Sequence, residues 1–229
     1  MVNIIMIENL IVIPYRDRQT HLEYFINNIW PLIENNVKSP YLLIVEQSDD
    51  GKLFNRGKLL NIGGDLYKDK CNYIITHDVD TYTTKIEGFE LYNNIDYEAF
   101  GIFTSHKCSL GGITKLKIEK FIEINGFPND IWGWGIEDRA LFYRSKIYNL
   151  NLKLNNKKKY FNFLTHKSNA IKYINEKKIK SDLENEVFKK YKKEDQIKHI
   201  RNSGLNNLEY KIIQDTNLKE NIRHIIVNI

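Results

Sequence analysis

The 229-residue sequence has few cysteines and no long apolar run, and each absence excludes a class of protein. Its two cysteines, Cys71 and Cys108, are too few for a disulfide framework or a four-thiolate zinc site, although a single bridge between them remains possible. No stretch reaches the roughly 18 apolar residues of a membrane span, and the largely apolar segment 1–15 lacks the basic start of a signal peptide. We therefore expect a soluble, cytoplasmic protein with no membrane span.

The net charge of +5 conceals two oppositely charged parts of the chain. Residues 1–150 carry 16 basic and 20 acidic side chains, whereas residues 151–229 carry 18 basic and 9 acidic ones. The basic part lacks a helix-turn-helix, zinc-finger or aromatic RNA-binding signature, so a solvated face is the simpler interpretation and a nucleic-acid partner is not expected. With 42% hydrophobic residues, the chain can bury one large core, and we expect a single domain over residues 1–229.

Short apolar runs alternate with helical patterns in the first half of the chain. Strands are predicted at residues 10–15, 41–45 and 73–76. Gln19 begins a helix with apolar residues three and four positions apart, and residues 54–66 form a second one, with Asn55 as its N-cap and Gly63-Gly64 as its stop. This alternation predicts an α/β fold with a mostly parallel central sheet flanked by helices, in which ligands bind outside the carboxyl ends of the strands.

The second half of the chain is less regular. We predict a strand at residues 100–104, a short helix at 117–124, and a helix over 137–148. Between the two helices lies the loop NGFPNDIWGWG, residues 125–135, which combines turn residues with two tryptophans. Residues 160–164 keep enough apolar side chains to be ordered strand and loop.

Two aspartates, Asp78 and Asp80, follow the third predicted strand. Carboxylates at this edge of a sheet supply the hard oxygen ligands with which Mg²⁺ or Mn²⁺ is held against a diphosphate. On its own, however, the tripeptide Asp-Val-Asp favours a strand that simply turns into solvent. The prediction of a metal site therefore depends on the residues around the two aspartates.

Three arginines are expected at the same edge, because Arg16 and Arg18 follow the first strand and Arg56 opens the second helix. Guanidinium groups bind phosphate oxygens in pairs, which suits a nucleotide diphosphate. The neighbouring ring of Phe54 either stacks on a base or lies in the core. Considered singly, each arginine is as compatible with a surface salt bridge.

The loop Trp132-Gly133-Trp134-Gly135 is the sharpest local signal, because indoles between glycines present flat faces on a backbone that can move. Such a loop suits a lid over a sugar, with a structural tryptophan corner as the alternative. Asp138, just after the loop, suits a general base for an acceptor hydroxyl, with Glu137 as a positioning acid. His166 is a candidate metal ligand or a surface histidine.

In this order the segments resemble the β-1,4-galactosyltransferase family, including its xylose-directed branch, over nearly the whole chain. IPYRDRQTHL and FNRGKLLNIG are similar to the family's two uridine-diphosphate segments, and HDVD is similar to its metal segment. GGITKLKIEKFIEINGFPNDIWGWGIEDRALFYR is similar to its sugar and acceptor segment, and SGLNNLEYKI to its closing strand.

The resemblance implies a GT-A fold with a nucleotide- and metal-binding half, residues 1–98, and a sugar half, residues 99–229. It implies an inverting, Mn²⁺-assisted transfer of a hexose, galactose or a related sugar, from a UDP-sugar to a hydroxyl of a saccharide or glycoconjugate. By residue, it implies nucleotide contacts from Pro14, Arg16, Arg18, Phe54, Arg56 and Asp78, and metal ligands at Asp80 and His166. It also implies a mobile-loop role for Trp134, a positioning role for Glu137 and a catalytic base at Asp138.

Three positions depart from the family pattern, and they concern the metal ligands, the donor sugar and the acceptor. Phe163 stands in place of a third metal ligand and cannot coordinate, so we expect weaker metal binding. Ser109 replaces the tyrosine before the motif that ends at Gly112, which predicts a larger donor-sugar pocket that admits a different sugar, including a 2-acetamido one. Arg139 replaces an aspartate and favours an anionic acceptor.

A protein of another class remains the alternative. The acidic clusters could hold Mg²⁺ in a nucleic-acid-binding or phosphodiester-cleaving protein, whose basic C-terminal region would contact backbone phosphates. On that hypothesis Arg16, Arg18 and Arg56 lie in the wrong half of the chain.

Overall fold

The computed structural model describes residues 6–104, 106–133, 135–155, 157–165 and 192–229. Its strands, in chain order, are β1 (Ile7–Tyr15), β2 (Pro40–Gln47), β3 (Cys71–His77), β4 (Thr81–Tyr82), β5 (Ala99–Phe103), β6 (Ile113–Lys117), β7 (Leu152–Leu154), β8 (Asn162–Phe163), β9 (Lys211–Lys219) and β10 (Ile222–Asn228). Eight of them form one sheet in the order β7-β5-β6-β3-β1-β2-β10-β9, and β4 pairs with β8 separately.

The strand pairings confirm a mostly parallel sheet. β1 pairs in parallel with both β2 and β3, and β10 continues the parallel part beyond β2. β5 and β7 also pair in parallel, whereas β6 and β9 run antiparallel to their neighbours. The sheet therefore joins strands from both halves of the chain.

The predicted helices are all present, whereas the helices Ile86–Tyr92 and Lys193–Ile200 were not predicted. The helices, in chain order, are α1 (Gln19–Tyr24), α2 (Trp30–Asn36), α3 (Arg56–Tyr67), α4 (Ile86–Tyr92), α5 (Ile118–Glu123), α6 (Glu137–Ile147) and α7 (Lys193–Ile200). A π-helical segment, Phe25–Ile29, joins α1 to α2, so the first predicted helix is not uniform. Pro31 lies in the first turn of α2 and has no N–H to donate, which accounts for a change of hydrogen-bond pattern at this point. Short 3₁₀ turns occupy Lys158–Tyr160 and Leu205–Asn207.

The central strand β1 is buried on both faces, which explains why it is an unbroken apolar run. Successive side chains point to opposite faces, so Leu10 and Val12 pack in the core with α3 and α5. Ile11 and Ile13 pack in a second core with the α1–α2 region and α4. Each fully buried side chain of this kind contributes about 1.5–3 kcal/mol relative to leaving it in water.

The predicted stop of the second helix at Gly63-Gly64 is wrong, because α3 continues to Tyr67. A Cβ atom on Gly63 would lie 2.6 Å from Val12 Cγ1, and one on Gly64 would lie 2.5 Å from Phe121 Cε1. These glycines therefore serve close packing of α3 against the sheet and α5, and they do not end the helix. The N-cap prediction is confirmed, since the Asn55 side chain accepts a hydrogen bond from Lys58 N.

Both cysteines are free thiols, Cys71 buried in β3 and Cys108 exposed. Within the described part of the chain, no helix combines the length and the apolar character needed to cross a membrane.

Candidate active site

The site forms where β1, β2 and β3 end at one edge of the sheet. Gln47, the last residue of β2, accepts a hydrogen bond from Asn55 N at 2.9 Å and donates one to Leu53 O at 3.0 Å. These bonds fix the loop before α3, and the Asn55 cap then starts the helix at Arg56. The first turn of α3 thus brings Arg56 to the residues that follow β3.

Arg56 binds Asp78 with two nitrogens. Nε and Nη2 lie 2.9 and 2.7 Å from Asp78 Oδ1, and the Arg56 side chain is only 12% exposed. Burial raises the pKa of Asp78, and the guanidinium opposes that shift. Burial also opposes the charge on Arg56, but the adjacent carboxylates outweigh it and raise its pKa. The pair is consequently a charged, oriented group at the sheet edge.

Arg56 also faces the first residue of α6. Its Nη1 lies 3.7 Å from Glu137 Oε1. Burial, and next the charge of Asp138, raise the pKa of Glu137 to about 7. Among the described residues, neither Arg56 Nη1 nor Glu137 Oε2 has a hydrogen-bond partner although both atoms are buried. Unsatisfied buried polar atoms are costly, so these two are groups a ligand would satisfy.

Asp80 is held by a second arginine. Arg18 Nη1 donates to Asp80 Oδ2 at 2.7 Å, and Thr81 Oγ1 lies 3.3 Å from the other oxygen. Its carboxylate is a hard oxygen donor of the kind that Mn²⁺ accepts, so this residue fits a metal site. Within the described ranges, no three His, Cys, Asp or Glu side chains form a group that could hold a metal ion.

The second predicted metal ligand, His166, lies outside the described residues. The segment before it is described, and it lies beside Asp80: β8 pairs with β4, and Leu164 N donates to Asp80 O at 2.8 Å. Phe163, which takes the place of a third ligand, pairs with Thr81 in this ribbon. Its ring centroid lies 5.0 Å from that of Phe103.

Arg16 and Phe54 form the next part of the site. The Arg16 guanidinium lies 5.5 Å from the Phe54 ring centroid, and its Nη1 donates to Lys52 O at 2.9 Å. Phe54 O accepts a hydrogen bond from Gly133 N at 2.8 Å, which ties the tryptophan loop to this side. Phe54 is half-buried and packs against the core, and Pro14 is buried in β1 just before the site. Trp134 lies outside the described residues.

Asp138 lies in the first turn of α6, beside the loop between β5 and β6. Ser109 Oγ donates to Asp138 Oδ2 at 2.6 Å, and Arg139 N donates to Oδ1 at 2.7 Å. The loop between β5 and β6 also contacts Asp78, because Gly112 O accepts a hydrogen bond from Asp78 N at 3.0 Å. Gly112 has φ +74°, a conformation that favours glycine.

His77, the first residue of the HDVD segment, has a structural role in the fold. His77 is fully buried, with Nε2 2.8 Å from Tyr92 Oη and Nδ1 2.9 Å from Asp78 O. Because a carbonyl only accepts, we assign the ring proton of His77 to Nδ1. The Tyr92 hydroxyl then donates its hydrogen bond to Nε2. Burial lowers the pKa of His77 to about 4.

Two family models match the chain. Residues 6–93 match the model described as the N-terminal region of glycosyl transferase group 7, and residues 94–167 match the one described as the N-terminal domain of galactosyltransferase. β-1,4-Galactosyltransferase 1 of Mus musculus is 28% identical over 215 residues, 89% of this chain and 50% of its own length. The xylosylprotein 4-β-galactosyltransferase of Caenorhabditis elegans is 28% identical over 209 residues, 88% of this chain and 70% of its own.

The chain spans about half the length of the mouse relative. Among solved structures, a Drosophila β-1,4-galactosyltransferase 7 variant in complex with manganese, UDP-Gal and xylobiose matches with a TM-score of 0.72 and 21% identity. The match covers 97% of this chain and 93% of that one, so the fold is GT-A as predicted. Because the two family models together span residues 6–167 without a gap, the chain belongs to the β-1,4-galactosyltransferase family, glycosyl transferase group 7.

Proposed function

We propose that the protein is an inverting glycosyltransferase that moves a hexose, galactose or a related sugar, from a UDP-sugar to a hydroxyl of a saccharide or glycoconjugate. One observation carries this proposal: the Arg56 guanidinium contacts both Asp78, after β3, and Glu137, beside Asp138. A nucleotide bound at the sheet edge and an acceptor bound at α6 would therefore lie on adjacent sides of one charged group.

The nucleotide side consists of Pro14, Arg16, Arg18, Phe54, Arg56 and Asp78. Arginine nitrogens bind phosphate oxygens in pairs, and the pairing of Arg56 with Asp78 orients its guanidinium before any ligand arrives. Phe54 and Arg16 together present a ring and a cation, which suits a uracil base next to phosphate.

Asp80 and His166 are the residues that would hold Mn²⁺. When bound, the ion would neutralise charge that develops on the departing diphosphate. Carboxylate oxygen and imidazole nitrogen are both ligands that Mn²⁺ accepts, and Phe163 adds none, so we expect modest metal affinity. The manganese and UDP-Gal bound by the Drosophila enzyme support the use of Mn²⁺ with a UDP-sugar here, and the two ligand residues stay a prediction.

Asp138 is the proposed general base. As the acceptor oxygen forms its bond to the anomeric carbon, the bond from that carbon to the diphosphate oxygen breaks, and the hydroxyl proton passes to the Asp138 carboxylate. Attack from the face opposite the diphosphate inverts the anomeric configuration. Glu137, with its pKa raised to about 7, is partly protonated near neutrality and can donate a hydrogen bond to a sugar oxygen.

Ser109, Gly112, Trp134 and Arg139 are proposed to contact the donor and acceptor sugars. The Drosophila enzyme is in complex with xylobiose, and the Caenorhabditis elegans relative is named for a xylosylprotein acceptor, which supports a saccharide acceptor here. The division into a nucleotide half, residues 1–98, and a sugar half, residues 99–229, stays a prediction, as does the cytoplasmic location.

A thermal unfolding experiment with UDP, with and without Mn²⁺, tests the proposal. A ligand at 100 times its Kd that binds only the native state adds about 2.7 kcal/mol, or roughly 5–10 °C in Tm for a chain of this size. We expect such a shift with UDP plus Mn²⁺, a smaller one with either alone, and little with ADP plus Mn²⁺. No shift would contradict the proposal, and steeply salt-dependent DNA binding would favour the nucleic-acid alternative.

A screen of transfer and hydrolysis over UDP-hexoses, with neutral and anionic saccharides as acceptors, would then identify the substrates. We expect turnover of at least one UDP-hexose that requires a saccharide acceptor. An enzyme that binds UDP but turns over no UDP-hexose would restrict the proposal to nucleotide binding.

A further inference from the structure

Ser109 is buried beside the carboxylate of Asp138. It is 2% exposed, and its Oγ donates the 2.6 Å hydrogen bond to Oδ2. The donor must be the hydroxyl, because an ionised carboxylate only accepts. Arg139 N donates to Oδ1, so that within the part of the chain the structure describes each carboxylate oxygen accepts one hydrogen bond and retains another lone pair. The carboxylate is therefore oriented and can still accept a proton.

The backbone on either side of Ser109 holds the same residue. Leu110 N donates to Asp138 O at 3.0 Å. A Cβ atom on Gly111 would lie 2.4 Å from Asp138 Oδ2, so this glycine permits the close approach of the carboxylate. Ser109 thus binds Asp138 through its side chain, Leu110 binds it through a backbone N–H, and Gly111 leaves the room that the carboxylate occupies. A residue that only enlarged a pocket would not need these contacts.

The geometry points to Ser109 as a positioning residue that orients the Asp138 carboxylate for proton transfer from the acceptor hydroxyl. This inference rests on the proposed role of Asp138 as general base. It adds a second role to the position predicted to enlarge the donor-sugar pocket. A base must be aligned with the proton it removes, and a displacement of about 1 Å can cost two orders of magnitude in rate.

Three substitutions distinguish the effect of the Ser109 hydroxyl from the effect of its side-chain volume. Ser109→Cys nearly preserves the volume but donates only weakly, Ser109→Ala removes the donor, and Ser109→Thr keeps a hydroxyl. We expect Cys and Ala to lower kcat for transfer roughly 10- to 100-fold, the loss typical of a hydrogen bond to a charged group, with the donor KM within about twofold. Ser109→Thr should recover most of kcat. A role in the donor pocket alone would change the donor KM and would leave Ser109→Cys close to wild type.

A double-mutant cycle adds a readout that a general structural role would not give. In the Asp138→Asn background, Ser109→Ala should lower kcat no further, because the base that it positions is gone. Equal losses in both backgrounds, or wild-type kcat in Ser109→Cys, would overturn the inference.

Crystal structures of the wild type and of Ser109→Ala test the positioning role without any assay of activity, so the result does not depend on the proposed function. We expect the Asp138 carboxylate to turn away from its wild-type orientation in the variant. If the wild type neither binds UDP nor transfers a sugar, the proposed function fails, and the crystal structures still decide whether Ser109 orients Asp138. An unchanged carboxylate would overturn the positioning role even in an active enzyme.

Discussion

Arg56 and Asp78 form a two-nitrogen contact on a single oxygen, with Nε and Nη2 at 2.9 and 2.7 Å from Oδ1. The contact joins the start of α3 to the end of β3, residues 22 positions apart in the chain. The Arg56 side chain is largely buried and that of Asp78 is 33% exposed, so the fold orients the arginine while one side of the carboxylate stays accessible. The pair therefore links the packing of α3 and β3 to the position of the charged groups in the site.

Arg56→Lys should weaken UDP binding roughly 10- to 100-fold, because an ammonium cannot reproduce a planar two-nitrogen contact to carboxylate and phosphate. The free energy of unfolding should fall by about 1–3 kcal/mol. Isothermal titration with UDP and Mn²⁺ and urea unfolding measure the two effects. Arg223→Lys is the matched control, because Arg223 makes a two-nitrogen pair with Asp215 between β10 and β9. Equal weakening of UDP binding in both variants would contradict the assignment.

Asp138→Asn should lower kcat for sugar transfer by about 10²- to 10⁴-fold, because the amide cannot accept the hydroxyl proton. The Kd for UDP should stay within about twofold, since the carboxylate is assigned to the acceptor side. Asp96→Asn, a change at an exposed carboxylate bonded to Asn94, is the control. Lost UDP binding with preserved turnover would reverse the assigned roles.

Glu137→Gln should gain stability relative to wild type as the pH rises. The Glu137 pKa is raised from 4.5 to about 7, so the folded wild type holds a proton that the unfolded chain has released between these values, and its stability falls with rising pH. Glutamine does not titrate. The difference in unfolding free energy should therefore grow by up to about 3 kcal/mol between pH 4.5 and 8.

Urea unfolding at four pH values in this range measures that difference. His77, whose pKa is lowered to about 4, contributes in the opposite direction, but it is present in both proteins and cancels. A difference that is constant, or that shrinks as the pH rises, would show that Glu137 does not titrate near neutrality.

Gly63→Ala should destabilise the protein by about 1–3 kcal/mol, although alanine is the better helix former. The reason is the 2.6 Å approach of the added methyl group to Val12 Cγ1. Val12→Ala would relieve the overlap, so a double-mutant cycle should give a favourable coupling of at least about 0.5 kcal/mol. Purely additive effects would mean that the two positions do not meet.

Much of the fold could be read from local patterns. The apolar run of β1, the Asn55 cap and the turn into α6 depend on neighbouring residues, and the structure has each of them. The Gly63-Gly64 stop failed because a glycine pair has the same local signal whether it ends a helix or lets the helix approach a strand. The packing of Val12 against Gly63 and of Phe121 against Gly64 distinguishes the two.

The sequence by itself determined the alternation of strands and helices in the first half of the chain and the placement of charged residues after strand ends, because periodicity and strand termination are properties of short segments. Only the tertiary structure decided that one guanidinium faces both Asp78 and Glu137 and that the Ser109 hydroxyl binds Asp138. Those contacts join residues far apart in the chain, and they form because the sheet and its helices pack in one arrangement that no local pattern encodes.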